Sequence, residues 1–206
     1  MVSHKASMSA VGVEPIRRNG RERVAAILDV AVVLFGTRGF GATTMSDIAS
    51  QSHTAAGSLY RFFPTKEVVG DAVVVRYADR FEGRFASLSE TAHELSPAGL
   101  ARAVADLMVE LEDDHAAAIS VAEGGGITTI QQQAQTRRVL NVIARMVGQA
   151  FPRLASSEIP VRAFTVMQLL KTFTLVSRSA LPEAKDAVPQ IRLVIEQYFR
   201  SLAKGT

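Results

Sequence analysis

Apolar positions recur at helical spacing through most of the chain, and the pattern predicts an all-α protein. Val24, Ile27, Leu28, Ala31, Leu34 and Phe35 share one face of a helix over 21–38, with Arg38 in its last turn and Gly39 to end it. Thr44–Ser52 then reads as a short helix. Met45, Ile48 and Ala49 form its apolar side, and Ser46, Asp47, Ser50 and Gln51 point mostly outward. Thr44 is a good N-cap, and Asp47 three residues on completes a capping-box-like pair. Ser52–Thr54 is a tight turn. Ala55–Phe63 is a second helix that buries Leu59, Phe62 and Phe63 and leaves Ala56, Ser58, Tyr60 and Arg61 outward or edge-on. Phe40 points back into a small core with Phe35, Ile48, Leu59 and Phe62. A short helix, a tight turn and a helix with a small-residue front make up a helix-turn-helix DNA reader. The two short helices alone would equally suit an ordinary pair of core helices.

Pro64 stops the second short helix, and Thr65 caps the next, which runs from Lys66 to about Ser87 or a few residues beyond. Its run Ala72–Val75 is apolar enough to be buried all round, and it is the one continuous rigid element expected to join the head to the body. Ser96-Pro97 opens another helix, with Ser at N-cap and Pro at N1, and Leu100, Val104, Leu107, Met108 and Leu111 as its stripe. Residues 112–115, EDDH, mark an end or a kink. Asp113, Asp114 and His115 are adjacent on a helix and do not converge on one ion, so no metal site is expected. Ala116–Glu123 continues as a short helix. Gly124–Gly126 breaks it as a flexible connection, and the lack of a following Lys-Ser/Thr rules out a phosphate-binding loop. Thr128–Phe151 is a long helix with Val139, Leu140, Ile143, Met146 and Val147 inward; Gln131–Gln133 line a cavity or face water, and Pro152 ends it. Ser156 or Ser157 caps a helix over Glu158–Ala180, with Phe164, Met167, Leu170 and Phe173 along it and Leu175 and Val176 broadening its apolar surface. A final helix runs from near Pro189 to about Ala203 with Phe199 and Leu202 on its stripe. These last two helices offer more apolar surface than one small domain needs to cover. Val166, Leu169, Leu170, Ile191, Val194, Ile195 and Tyr198 are the candidates for a subunit interface. The expected organisation is a flexible basic arm over 1–20, a DNA-binding domain over 21–66 and a helical domain over 67–206.

Composition narrows the classes further. At 206 residues and 48% apolar content the chain can build a real core. It has no cysteine, hence no disulfide, thiolate metal site or thiol nucleophile, in keeping with a reducing cytoplasm. No apolar run approaches the ~20 residues of a membrane span. The best, Phe164–Val176, is interrupted by Gln168 and Lys171, and residues 1–15 lack the apolar core of a signal peptide. The net charge of +3 is unevenly spread: residues 1–66 hold eight basic and four acidic side chains, the remainder 15 and 16. The positive excess sits on the presumed reader, as nucleic-acid binding requires. Arg17, Arg18, Arg21 and Arg23 can touch phosphates or reach a minor groove, and for Arg17 and Arg18 a solvated tail is the alternative. His4, His53, His93 and His115 have no Ser or carboxylate constellation around them, which argues against an enzyme.

Residues Arg23 to Val73, RVAAILDVAVVLFGTRGFGATTMSDIASQSHTAAGSLYRFFPTKEVVGDAV, resemble the N-terminal domain of the tetracycline-repressor (TetR) family of transcriptional regulators. The LFGTRGF helix end, the ATTMSDIA cap, the GSLYRFF recognition helix and the PTKE start of the next helix occur in the family's order and spacing. The resemblance implies that Thr44 caps its helix against a phosphate and that Tyr60 and Lys66 contact the DNA backbone. It places Ser46, Ala56, Gly57, Ser58 and Arg61 toward base edges or adjoining phosphates. Two positions depart from it. His53 stands where the family usually has Gly and must adopt positive φ at about 1–2 kcal/mol. Ala55 replaces the usual Ser cap, so Thr54 is expected to cap instead and to join the short polar groups of the reading face. Arg61 is the one side chain of that face able to grip a guanine with two hydrogen bonds.

The resemblance further implies a homodimer whose last two helices pair in a four-helix bundle, a double-stranded, near-palindromic operator, and a small, largely apolar inducer; no cofactor is implied. It assigns ligand binding and dimerisation to the helical domain over 67–206. Candidate inducer-lining residues are Met108, Leu111, His115, Ile119, Ile143, Met146, Met167 and Phe173, each of which also serves as ordinary core. A ligand-blind architectural DNA binder is the alternative.

Overall fold

The computed structural model of the chain describes residues 18–204, and every helix or strand assigned among them is helical. The helices are α1 (Arg18–Arg38), α2 (Met45–Gln51), α3 (Ala56–Phe62), α4 (Lys66–Thr91), α5 (Pro97–Glu110), α6 (Glu112–Glu123), α7 (Thr129–Ala150), α8 (Ile159–Ser177) and α9 (Ala184–Lys204). A 3-10 turn at Ala92–Glu94 separates α4 from α5. Of the expected arm, residues 1–17 lie outside the described residues, and 18–20 are the first turn of α1.

Contacts gather the chain into two units. One combines the described residues up to Arg76 with Asp113–Thr129, and the other combines Tyr77–Glu112 with the described part of Ile130–Thr206. The division is not a single cut: the chain crosses between units inside α4, after the first residue of α6, and at the start of α7.

In the first unit, Ile27, Ala31, Leu34 and Phe35 of α1 are buried together with Ile48 of α2, Leu59 and Phe62 of α3, Val69 and Val73 of α4, and Ala117 and Val121 of α6. Phe40, in the α1–α2 turn, meets Phe35 edge to face at 5.1 Å. The Arg76 guanidinium pairs with Asp29 at 2.7 Å and with the almost fully buried Asp114 at 3.3 Å. One cation thereby fastens α1, α4 and α6. The EDDH sequence is the junction of two helices, with Leu111 the C-cap of α5 and α6 starting at Glu112. Among the described residues no group of three His, Cys, Asp or Glu could hold a metal ion.

The second unit is built around Phe81 and Phe85, stacked at 4.1 Å, with Leu100, Val104, Met108, Ile143, Met146, Val166, Met167, Phe173, Ile195 and Phe199 in the same core. α5, α8 and α9 pack on one another. Ser96 caps α5 by accepting the Gly99 N–H at 3.1 Å, with Pro97 following it. Arg138 of α7 donates to Asp79 at 2.7 Å and Glu82 at 2.8 Å on α4, and both carboxylates raise its pKa.

Three expectations here are corrected. The N-cap of α8 is Glu158, whose side chain makes no capping bond, in place of Ser156 or Ser157. α9 begins at Ala184, so Pro189 lies inside it. A proline near a helix start suggests the first position, but here five residues precede it in the helix. Finally, α8 does have the length and composition of a membrane span, with a mean hydropathy of 1.2. Its apolar character divides between two sides. Ala163, Val166, Met167, Leu170 and Phe173 are in the core, while Val161, Phe164 and Leu175 face outward.

Candidate nucleic-acid interface

The reading face starts at the α1–α2 turn. Thr44 is the N-cap of α2: its hydroxyl oxygen accepts the Asp47 N–H at 3.1 Å, and the Asp47 carboxylate accepts the Thr44 N–H at 2.9 Å. This capping box is complete. The bonds from the Thr44 hydroxyl and then the Thr44 N–H hold the Asp47 carboxyl below its ordinary range. A depressed carboxylate pKa adds stability that is present above the unfolded-state value and disappears as pH falls through the folded one. Asp47→Asn should therefore lower the melting temperature at pH 7, and the difference from wild type should vanish on titration through the acid range below about pH 4, as followed by circular dichroism.

The turn between α2 and α3 is closed by Thr54 N–H donating to Ala49 O at 2.9 Å. His53 takes φ of 49°, the left-handed conformation its position demands, as the sequence predicts. Among the described residues it is the one non-glycine with positive φ. His53→Gly should relieve that strain and raise stability by about 0.5–1 kcal/mol in thermal or urea unfolding, less the entropy glycine gains in the unfolded chain.

Thr54 does not do what the sequence suggests. It is buried, its hydroxyl donates to Ser52 O at 3.2 Å, and the N-cap of α3 is Ala55, with no side-chain bond. Its hydroxyl serves the turn, so a contact from Thr54 to DNA would have to compete with the Ser52 carbonyl.

α3 places Leu59 and Phe62 inward and Ala56, Gly57, Tyr60 and Arg61 at the surface, with Ser58 half-buried. Thr44 and Ser46 are also exposed. The Arg61 guanidinium lies 5.1 Å from the centre of the Phe62 ring. Arg23 of α1 donates to the Ser58 hydroxyl at 3.3 Å, which brings a second guanidinium beside α3; its charge was visible in the sequence, its position was not. Arg17 lies outside the described residues.

Lys66 is half-buried at the start of α4. Its ammonium donates to the carbonyls of Phe40 at 2.8 Å, Thr43 at 3.0 Å and Gly41 at 3.4 Å, and sits 4.5 Å from the centre of the Phe40 ring. All three of its donors serve the turn that leads into α2. It supports the reading face from behind, and a phosphate contact would have to compete with these carbonyls.

The ligand and interface candidates separate by burial. Met108, Leu111, Ile143, Met146, Met167 and Phe173 all lie in the core of the second unit. His115 and Ile119 lie on α6, in the first unit, the former buried and the latter exposed. Of the interface candidates, Val166, Leu170 and Ile195 are in the protomer's own core and offer no surface to a second copy. Leu169, Ile191 and Tyr198 are half-buried, and Val194 is 52% exposed. The outward apolar residues the sequence reading passed over as interface candidates are Val161, Phe164, Leu175 and Leu193. At helical spacing, Val161, Phe164, Gln168 and Leu175 follow the outer side of α8, a period that was readable beside the inner one.

Residues 27–73 match the family of bacterial regulatory proteins described as the tetR family. Over 59 residues the chain is 39% identical to the HTH-type transcriptional repressor KstR2 of Rhodococcus jostii (strain RHA1), a match spanning 29% of each chain. It is 36% identical over 66 residues to KstR2 of Mycolicibacterium smegmatis, spanning 32% of each. The chain thus matches about three-tenths of the length of these relatives. The fold is similar to that of Salmonella enterica GusR, with a TM-score of 0.67 at 14% identity, covering 93% of this chain and all of that one.

Proposed function

We propose that this chain, whose residues 27–73 match the tetR family of bacterial regulatory proteins, is a transcriptional repressor of that family binding double-stranded DNA as a homodimer. The observation that carries this reading is the first unit's surface: a capped α2 and a short α3 bury Ile48, Leu59 and Phe62 and present Thr44, Ser46, Ala56, Gly57, Tyr60 and Arg61. Tyr60 carries a hydroxyl suited to phosphate oxygens, and the Thr44 hydroxyl would have to leave the Asp47 carboxylate to reach one. Gly57 allows close backbone approach, and Arg61 can pair with guanine O6 and N7. Ala56 offers only a methyl, so phosphate contacts and DNA shape supply a large share of affinity.

The outward residues of α8 and α9 suit a twofold interface, which would set two heads on half-sites roughly 34–36 Å apart or at a related spacing on a near-palindromic operator. A small, largely apolar inducer suits the core of the second unit. There Met108, Met146 and Met167 come from three different helices and can repack at small cost. α4 runs in sequence from the head into that unit, so inducer binding would act on the head through it. A coupling of about 1–3 kcal/mol would lower DNA affinity roughly 5- to 150-fold. The protein would act in the cytoplasm, where its DNA is.

The test is enrichment of duplexes from a randomised library by the full chain, followed by a salt titration of the enriched duplex against random competitor. A selected near-palindrome supports the reading. Binding without sequence preference would instead indicate an architectural DNA binder.

A further inference from the structure

We infer that Phe40 is a relay through which the end of α6 sets the position of the α1–α2 turn, and with it the affinity of the reading face for DNA. The inference deepens the function proposed above and rests on it for its DNA-binding arm.

The ring of Phe40 is 4% exposed and touches every element that meets at this corner of the first unit. Phe35 of α1 meets it edge-on, and the Lys66 ammonium of α4 lies over it. Its backbone N–H donates to the Ser120 hydroxyl of α6 at 2.8 Å. Gly124 and Gly126, after α6, are a fitted seat for this ring, in place of the flexible connection that the sequence suggests, while Gly125 between them takes a positive φ of 74° and faces open space. A Cβ at Gly126 would stand 2.8 Å from Phe40 Cζ and 2.7 Å from Val121 Cγ1, and one at Gly124 would stand 2.9 Å from Phe40 Cδ1. A Cβ at Gly70, on α4, would meet the same ring at 3.0 Å. Glycine is thus the residue that lets both α4 and the α6 turn close on Phe40. Close-packed groups transmit displacement because they have no room to absorb it.

The carbonyls of Phe40, Gly41 and Thr43 converge on Lys66, and the next residue, Thr44, caps α2. A shift of the ring therefore reaches the N-terminus of α2 through a continuous set of contacts. The α6 segment is flanked in sequence by Glu112 and Ile130, both of the second unit. Displacement of either flank pulls on the seat covalently.

The experiment uses the full chain carrying Val121→Ala, which removes the other group a Cβ at Gly126 would strike; Gly126→Ala is added to it with Phe40 intact and with Phe40→Leu, where the shorter side chain frees the space the new methyl needs. Two readouts are taken: amide hydrogen exchange across residues 40–51, and affinity for a duplex enriched by wild type relative to a random duplex. Gly126→Ala should speed exchange in residues 40–51 more than in residues 27–35. It should also lower the specific-to-random affinity ratio about tenfold, and both effects should shrink to less than about threefold when Gly126→Ala is added to Phe40→Leu. Exchange over 40–51 unchanged by Gly126→Ala, or an equal effect in both backgrounds, overturns the relay. Failure of wild type to enrich any duplex overturns the functional reading, while the exchange data still decide whether Phe40 couples α6 to the turn.

Discussion

Replacing Lys66 by methionine is expected to destabilise the full chain by about 2–4 kcal/mol, read as a fall of roughly 5–15 °C in the thermal midpoint. The ammonium holds three carbonyls and covers the Phe40 ring. Hydrogen bonds to a charged donor are worth about 1.5–3 kcal/mol each and the ring contact about 0.5–1 kcal/mol. Fixing the lysine side chain costs up to about 2 kcal/mol, and the bond to Gly41 is long, which brings the net into the stated range. Lys66→Arg should restore little, because a planar guanidinium cannot direct its donors at carbonyls that converge on one point. Lys66→Met, which removes the charge, also separates support from direct DNA contact. A lost phosphate contact would reduce the slope of log affinity against log salt by about 1. A purely supporting Lys66 leaves that slope unchanged and weakens binding through the position of α2.

The Lys66 result marks where the sequence stopped being informative. Short-range features were legible: the Thr44–Asp47 box, the left-handed His53 and the Ser96-Pro97 start of α5 all depend on neighbours within a few residues. What depends on partners far along the chain was not. A lysine after a helix cap looks like a surface cation until the fold brings Phe40 back against it, and Gly124–Gly126 looks like slack until the same ring fills it. Thr54 misled for a different reason. Thr favours caps, but it can also bond within its own turn, and here it donates to Ser52 O. On α8 and α9 the apolar period is wide enough to serve two faces. Composition alone gave no way to say that Val166 and Ile195 turn inward while Leu175 and Val194 turn outward. The six core residues proposed around the inducer share that ambiguity, because a pocket wall and a packed core draw on the same side chains.

The outward face supplies the second large effect. Leu175→Glu combined with Val194→Glu is expected to turn the proposed dimer into monomers that keep their fold. Leu175 is 75% exposed and Val194 52% exposed in the single chain, so neither glutamate enters a core. In a twofold interface each substitution occurs twice, and a charge buried there without a partner costs about 2 kcal/mol or more. Even the lower figure, taken twice, weakens association about a thousandfold. Analytical ultracentrifugation should show the change in mass, and circular dichroism an unchanged helical signal. Affinity for an enriched operator should fall by a factor of 10² to 10⁴, because the second head loses the effective concentration that its tethered partner supplied. Val166→Glu is the contrasting variant. It places the same charge in the protomer's own core and should unfold the second unit outright. A double variant that still sediments as a dimer would remove the α8–α9 face from the interface and leave those outward residues without an assigned partner.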